Sequence, residues 1–272
     1  MKIRRAKSRV KLVASCIVAL ACVTGISMSG FKILEWWLEG DSTRTQSAEA
    51  ESIATVVEKD DNDAETINHD EKKDSLYWKY LQTKLIDVDF NELKQKNSDT
   101  VAWIQVGGTN INYPVVQVSN NDYYLKHSFD KSYNSAGWVF ADFRNRLDGG
   151  DRNLIMYAHG RYDGTMFGTL KNILTNGWLT NPDNYIVRTV SESESALWQV
   201  FSTYRIPVTS DYIQTEFSGD AEFDTFAKML LNRSAHNFRT NVTGQDRILT
   251  LSTCFNDDRV VMHAKLIKHS IK

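Results

Sequence analysis

Three residues carry the chemistry that this sequence can offer: Cys254, Arg259 and His159. In RILTLSTC (247–254) a strand period puts Ile248, Thr250, Ser252 and Cys254 on one face, and Leu249, Leu251 and Thr253 on the other. The thiol therefore falls at a strand end. The turn FNDD follows, and the next strand, RVVMHAKLI, begins at Arg259. Such a short connection predicts an antiparallel hairpin with Arg259 across from, or diagonal to, Cys254. A guanidinium there favours thiolate over thiol. It can also donate hydrogen bonds to an oxyanion formed when sulfur attacks a carbonyl. The alternative is an ordinary surface pair between Arg259 and Asp257, Asp258 or another acid.

A cysteine nucleophile needs a proton-transfer partner. Of the six histidines, His69 lies in a polar charged stretch, His269 near the C-terminus and His236 in a polar loop. His127 follows Tyr-Tyr-Leu and can cap a turn; His263 alternates with Arg259 and Val261 on a strand. His159 ends the apolar run NLIMYA and precedes Gly160, a placement that can project its ring into a cleft. It ranks first, with a structural role as the alternative. No Ser-centred elbow, zinc-protease helix or phosphate loop competes.

The three cysteines are Cys16, Cys22 and Cys254, and the first two sit in an apolar N-terminal run. A disulfide framework is thereby excluded in the rest of the chain. Count alone favours an inert buried thiol at Cys254. A net charge of −2 gives no global basic field for nucleic acid.

The elements that must position these residues follow from periodicity. DSLYWKYLQTKLI has helical spacing at Leu76, Tyr77, Tyr80, Leu81 and Leu85, and DFNELKQKN predicts a short helix with Asp89 as N-cap. Short alternating runs then predict strands: VAWIQV, INYPVVQV, GWVFA, NLIMYA, NYIVRTV, ALWQVFSTYRI, RILTLST and RVVMHAKLI. One helix, 220–232, interrupts them, with Phe223, Phe226, Leu230 and Leu231 on one face. Many short strands with few helices predict a mostly β fold, a closed or nearly closed barrel.

Residues 1–11 carry six basic side chains and no acid, and 12–31 form a run of 20 without charge. As a helix that run spans about 30 Å, enough for a bilayer. The basic flank predicts a cytoplasmic tail (1–11), a single transmembrane anchor (12–34) and an outward-facing remainder. Trp36 and Trp37 suit the interface. A cleaved signal with Ser27-Met28-Ser29 as its weak site, or a lipidated Cys22, are the rival readings. Residues 35–74 read as a disordered acidic stalk, since 40–73 are rich in Asp, Glu, Ser, Thr and Asn without aromatics. The globular domain is then 75–272.

TLSTC at 250–254, Arg259 on the next strand and Tyr157-Ala158-His159-Gly160 upstream, in the order His, Cys, Arg, resemble the sortase signature. VAWIQVGGTNINYPVVQVSNNDYYLKHSFD (101–130), GWVFADFRN (137–145) and the helix-bearing insertion before the Cys strand look like class B. The resemblance covers about residues 76 to 268. It implies an eight-stranded β-barrel with N-terminal helices in a membrane-anchored, extracellular cysteine transpeptidase of Gram-positive bacteria. Cys254 would attack the Thr carbonyl of a C-terminal sorting motif, Asn-Pro-X-Thr-Asn-like or Leu-Pro-X-Thr-Gly-like, in a secreted protein. His159 would protonate the leaving amine and deprotonate the incoming one, from a peptidoglycan precursor or a pilin Lys. Arg259 would hold substrate and oxyanion, and no metal or organic cofactor is implied. By motif, Asn121, Leu125, Tyr157, Tyr212, Ile213 and Ser252 match positions lining the sorting-signal groove, with simple packing as the alternative for each. Phe255 departs from the polar residue common after the Cys. Asn256, Asp257 and Asp258 are candidates for a third catalytic group, though turn formers by type. A non-catalytic peptide-binding module and a hydrolysing cysteine peptidase remain as other readings.

Overall fold

The computed structural model describes residues 2–67, 76–255 and 257–272. The roles considered for His69 and Asn256 lie outside the described residues, as do the side chains of Cys254 and Phe255. The chain divides into two compact units, Met1–Ser42 and Thr43–Lys272. Helix α1 spans Lys2–Ala54. From Ala14 on it holds a window of mean hydropathy 1.8, none of it buried, long and apolar enough to cross a membrane.

In the second unit eight strands close into a barrel: β1 (Thr100–Val106), β2 (Asn112–Val116), β3 (Phe140–Ala141), β4 (Asn153–Tyr157), β5 (Ile186–Ser191), β6 (Glu194–Pro207), β7 (Ile248–Phe255) and β8 (Asp258–Ile271). The order round the barrel is β7, β4, β3, β2, β1, β5, β6, β8, and pairing of β7 with β8 closes the ring. Two pairs are parallel, β2 with β3 and β4 with β7; the others are antiparallel. GWVFA contributes only Phe140 and Ala141 to the ladder. Full closure leaves no long unpaired edge.

The alternation read in β7 is the one observed. Leu249 and Leu251 enter the main core with Trp103, Trp138, Trp198 and Met262. Ile248 joins a second cluster with Phe201, Tyr204, Phe223, Phe226 and Leu230. That cluster attaches α4 (Asp220–Asn232) through Phe223, Phe226, Ala227 and Leu230, spaced i, i+3, i+4, i+7. Ala227 takes the place expected of Leu231, which is only partly buried. Burial of each large apolar side chain here contributes roughly 1.5–3 kcal/mol.

Two expectations need correction. The helix over DSLYWKYLQTKLI stops early: α2 is Leu76–Tyr80. The buried Lys268 ammonium donates to the carbonyls of Leu81 (2.9 Å) and Thr83 (2.5 Å), so the chain there serves another partner rather than a helical ladder. α3 (Phe90–Lys96) has Asp89 as its N-cap, accepting from Asn91 N–H at 2.9 Å. The stretch read as a disordered stalk is also partly ordered. α1 runs to Ala54, and Ala50 and Ala54, one turn apart, are buried in the main core. Glu65 and Thr66 pair with His269 and Lys268 of β8. Two alanines at i, i+4 make a narrow apolar contact that average composition hides.

Candidate active site

The parallel pairing of β4 with β7 sets Tyr157 beside Ser252, and the β7–β8 hairpin sets Cys254 directly opposite Arg259. The hairpin was expected to bring Arg259 across from or diagonal to the thiol, and the pairing is direct. Thr253 Oγ1 donates to the carbonyl of Ala158 at 2.7 Å. That bond ties the Cys strand to the residue before His159. After His159 the backbone is held by Phe167 N–H donating to the His159 carbonyl at 3.1 Å.

The His159 ring lies with Nε2 2.8 Å from the Leu125 carbonyl. A carbonyl only accepts, so Nε2 carries a proton and Nδ1 is the nitrogen left for exchange. Leu125 closes a short turn, Tyr123–Leu125, whose Tyr124 carbonyl accepts from Trp138 N–H at 2.9 Å. The close approach needs Gly137, at φ +60, where an added Cβ would stand 2.4 Å from the Tyr124 carbonyl oxygen.

These groups line one cleft of about 270 Å³. Its walls include Asn121, Leu125, Tyr157, His159, Tyr212, Ile213, Ser252 and Arg259, whereas Asp257 and Asp258, the described candidates for a third catalytic group, are not among its lining residues. Val208, Thr209, Phe140, Ala158 and Thr253 complete it. Tyr212 and Ser252 share a hydroxyl–hydroxyl hydrogen bond of 2.8 Å. Arg259 points NH1 at the Asp258 carbonyl, 3.3 Å away. The Asp258 carboxylate is taken by Arg205 at 2.6 Å, and among the described residues Arg259 forms no ion pair. Among the described residues the surface-pair alternative for Arg259 finds no partner.

The other described histidines have structural surroundings. His127 stacks on Tyr123 at 3.9 Å, His236 packs on Phe238, and His269 contacts Glu194 at 2.9 Å. His263 is fully buried between Thr250 Oγ1 (2.9 Å) and Tyr204 OH (2.8 Å). Burial, with the nearby Arg233 charge, depresses its pKa to about 3, so it stays neutral.

One polar group beside the cleft was not singled out from sequence. The Asp142 carboxylate has no exposed surface. It accepts from Arg144 Nε (2.8 Å), Arg144 NH2 (2.7 Å), Arg144 N–H (3.0 Å), Tyr157 OH (2.9 Å) and Asn121 Nδ2 (3.0 Å). Burial works to raise its pKa, but these donors outweigh it and hold the carboxyl below its ordinary value. The Tyr157 hydroxyl is pushed up, by burial first and then by the Asp142 charge. Among the described residues no cluster of three His, Cys, Asp or Glu side chains gathers as metal ligands would.

The Sortase domain family model matches residues 104–267. Sortase B of Staphylococcus aureus (strain NCTC 8325 / PS 47) is 36% identical over 186 residues, covering 66% of this chain and 75% of the relative. Sortase B of Listeria monocytogenes serovar 1/2a is 32% identical over 188 residues, covering 66% and 74%. Among solved structures, sortase B from B. anthracis in complex with AAEK1 superposes with a TM-score of 0.69 at 32% identity, covering 85% of this chain and 99% of that one. The Staphylococcus aureus sortase B–substrate complex gives 0.61 at 36%, covering 66% and 84%.

Proposed function

Because the chain belongs to the sortase family, in its class B, we propose that it is a membrane-anchored transpeptidase working through a thioacyl intermediate on Cys254. The Cys254 sulfur attacks the Thr carbonyl of a sorting motif, the C–N bond breaks, and His159 gives a proton to the departing amine. An incoming amine then attacks the thioester, His159 takes its proton, and sulfur leaves. Arg259 donates to the carbonyl oxygen while it carries negative charge. The peptide lies along the cleft wall of Asn121, Leu125, Tyr157, Tyr212, Ile213 and Ser252.

The observation that carries this reading is the meeting of three chain segments at one cleft. Cys254 pairs with Arg259 across the hairpin, and the neighbouring parallel strand delivers His159. The apolar part of α1 acts as the anchor, with the basic tail of residues 1–11 inside and the barrel outside. The substrates are secreted proteins with an Asn-Pro-X-Thr-Asn-like or Leu-Pro-X-Thr-Gly-like motif, and the acceptor is a peptidoglycan-precursor amine.

The test is a panel of quenched fluorescent peptides carrying these motifs, given to the full chain in detergent with and without an amine such as triglycine. Cleavage with amine-dependent formation of the joined product is expected. Cleavage to the free acid alone, unchanged by the amine, would replace transfer with hydrolysis. No cleavage of any peptide would remove the enzymatic reading.

A further inference from the structure

We propose that Asp142 is a positioning residue that sets the width of the peptide groove, acting through Asn121, Tyr157 and, by way of Arg144, the backbone of Ile213. This rests on the transpeptidase reading only for its substrate, a sorting peptide lying in that groove.

The geometry is that of a hub. Asp142 follows β3, and its backbone is pinned: its N–H donates to Ile155 O (2.9 Å), and its carbonyl accepts from Gln117 Nε2 (2.8 Å) and Asn145 N–H (3.0 Å). The carboxylate is thus a fixed point. Two of its donors, Asn121 Nδ2 and Tyr157 OH, meet at its Oδ2 and come from separate chain segments that both line the cleft. A third, the Arg144 guanidinium, grips both carboxylate oxygens and donates onward from NH2 to Ile213 O at 2.9 Å. Ile213 lines the wall contributed by the segment after β6. Asn121 is held from its other side as well, its Oδ1 accepting from Phe143 N–H at 3.0 Å. One buried charge therefore ties together three groove-lining segments that are far apart in sequence. A carboxamide in its place cannot accept at both positions, so one of these donors faces another donor.

Asp142→Asn is the direct test, read in two ways. In a Cys254→Ala background, the dissociation constant of a fluorescent Asn-Pro-X-Thr-Asn or Leu-Pro-X-Thr-Gly peptide is measured by anisotropy. With Cys254 present, KM and kcat for the same peptide are measured at fixed triglycine. Loss of one charged hydrogen bond predicts that both the dissociation constant and KM rise about tenfold, with kcat changed less than about threefold. The rate of Cys254 alkylation by iodoacetamide stays at the wild-type value. Tyr157→Phe, which weakens binding alone, adds little in the Asp142→Asn background, because both act through one bond. Arg144→Lys serves if Asp142→Asn does not fold. A point charge cannot hold both carboxylate oxygens and Ile213 O together, so the same shift is expected. Peptide affinity within twofold of the parent in both variants would overturn the proposal. So would full multiplication of the Asp142→Asn and Tyr157→Phe effects. Peptide binding that depends on Asp142 without wild-type cleavage would overturn the transpeptidase reading and leave this one standing.

Discussion

Cys254 and Arg259 are direct partners in the β7–β8 ladder, and the Asp258 carboxylate between them in sequence is committed to Arg205. Among the described residues the Arg259 guanidinium forms no ion pair, and it lines the cleft.

Arg259→Lys keeps the charge and loses the planar donor fork. If Arg259 donates to the oxyanion, kcat for peptide cleavage drops on the order of 10²–10³-fold. Steady-state kinetics on a cleaved panel peptide check it. Turnover within about threefold of wild type would leave Arg259 only a general electrostatic role.

His263 predicts a specific acid lability. The folded protein holds it near a pKa of about 3, whereas the unfolded chain has the ordinary value near 6.5. Between those values the unfolded state binds the extra proton, so stability is full above pH 6.5 and falls as pH drops toward 3. The slope approaches about 1.4 kcal/mol per pH unit. Glu194, lowered to about 2 against burial by Arg247 and then His269, loses its contribution only below the ordinary Glu value of 4.5. The window from pH 6.5 to 4.5 therefore isolates the histidine. Urea denaturation across that window should show the slope in wild type and a flatter profile in His263→Gln. Equal slopes would contradict the assignment.

Ala50 tests the ordered end of α1. Ala50→Glu forces a charge into the main core at the contact between α1 and the barrel. A loss of at least about 1–3 kcal/mol in denaturant unfolding is expected from overpacking alone. A solvated tether at this position would give no measurable change.

The barrel was legible in the sequence because alternation is local: β7 shows its two faces in Leu249, Leu251 and Thr250, Ser252 without reference to any partner. The Cys254–Arg259 juxtaposition was legible because a four-residue turn leaves few registers. The buried C-terminal end of α1 was not, since Ala50 and Ala54 count little in a composition average dominated by acids. Nor was Asp142 with Arg144. An acid and a base two apart in a polar turn look like a surface pair, and only the fold brings Tyr157, Asn121 and Ile213 to them. His263 likewise reads as one polar residue on an alternating strand until Thr250, Tyr204 and Phe201 enclose it.

The central claim is the covalent step at Cys254, and intact-mass analysis tests it most directly. The full chain is incubated with a panel peptide without any amine acceptor, quenched in acid and digested. A mass increase equal to the peptide acyl portion ending in Thr is expected, located on Cys254, released by hydroxylamine and absent in Cys254→Ala. Peptide cleavage with no adduct on Cys254, at a rate that Cys254→Ala retains, would contradict it.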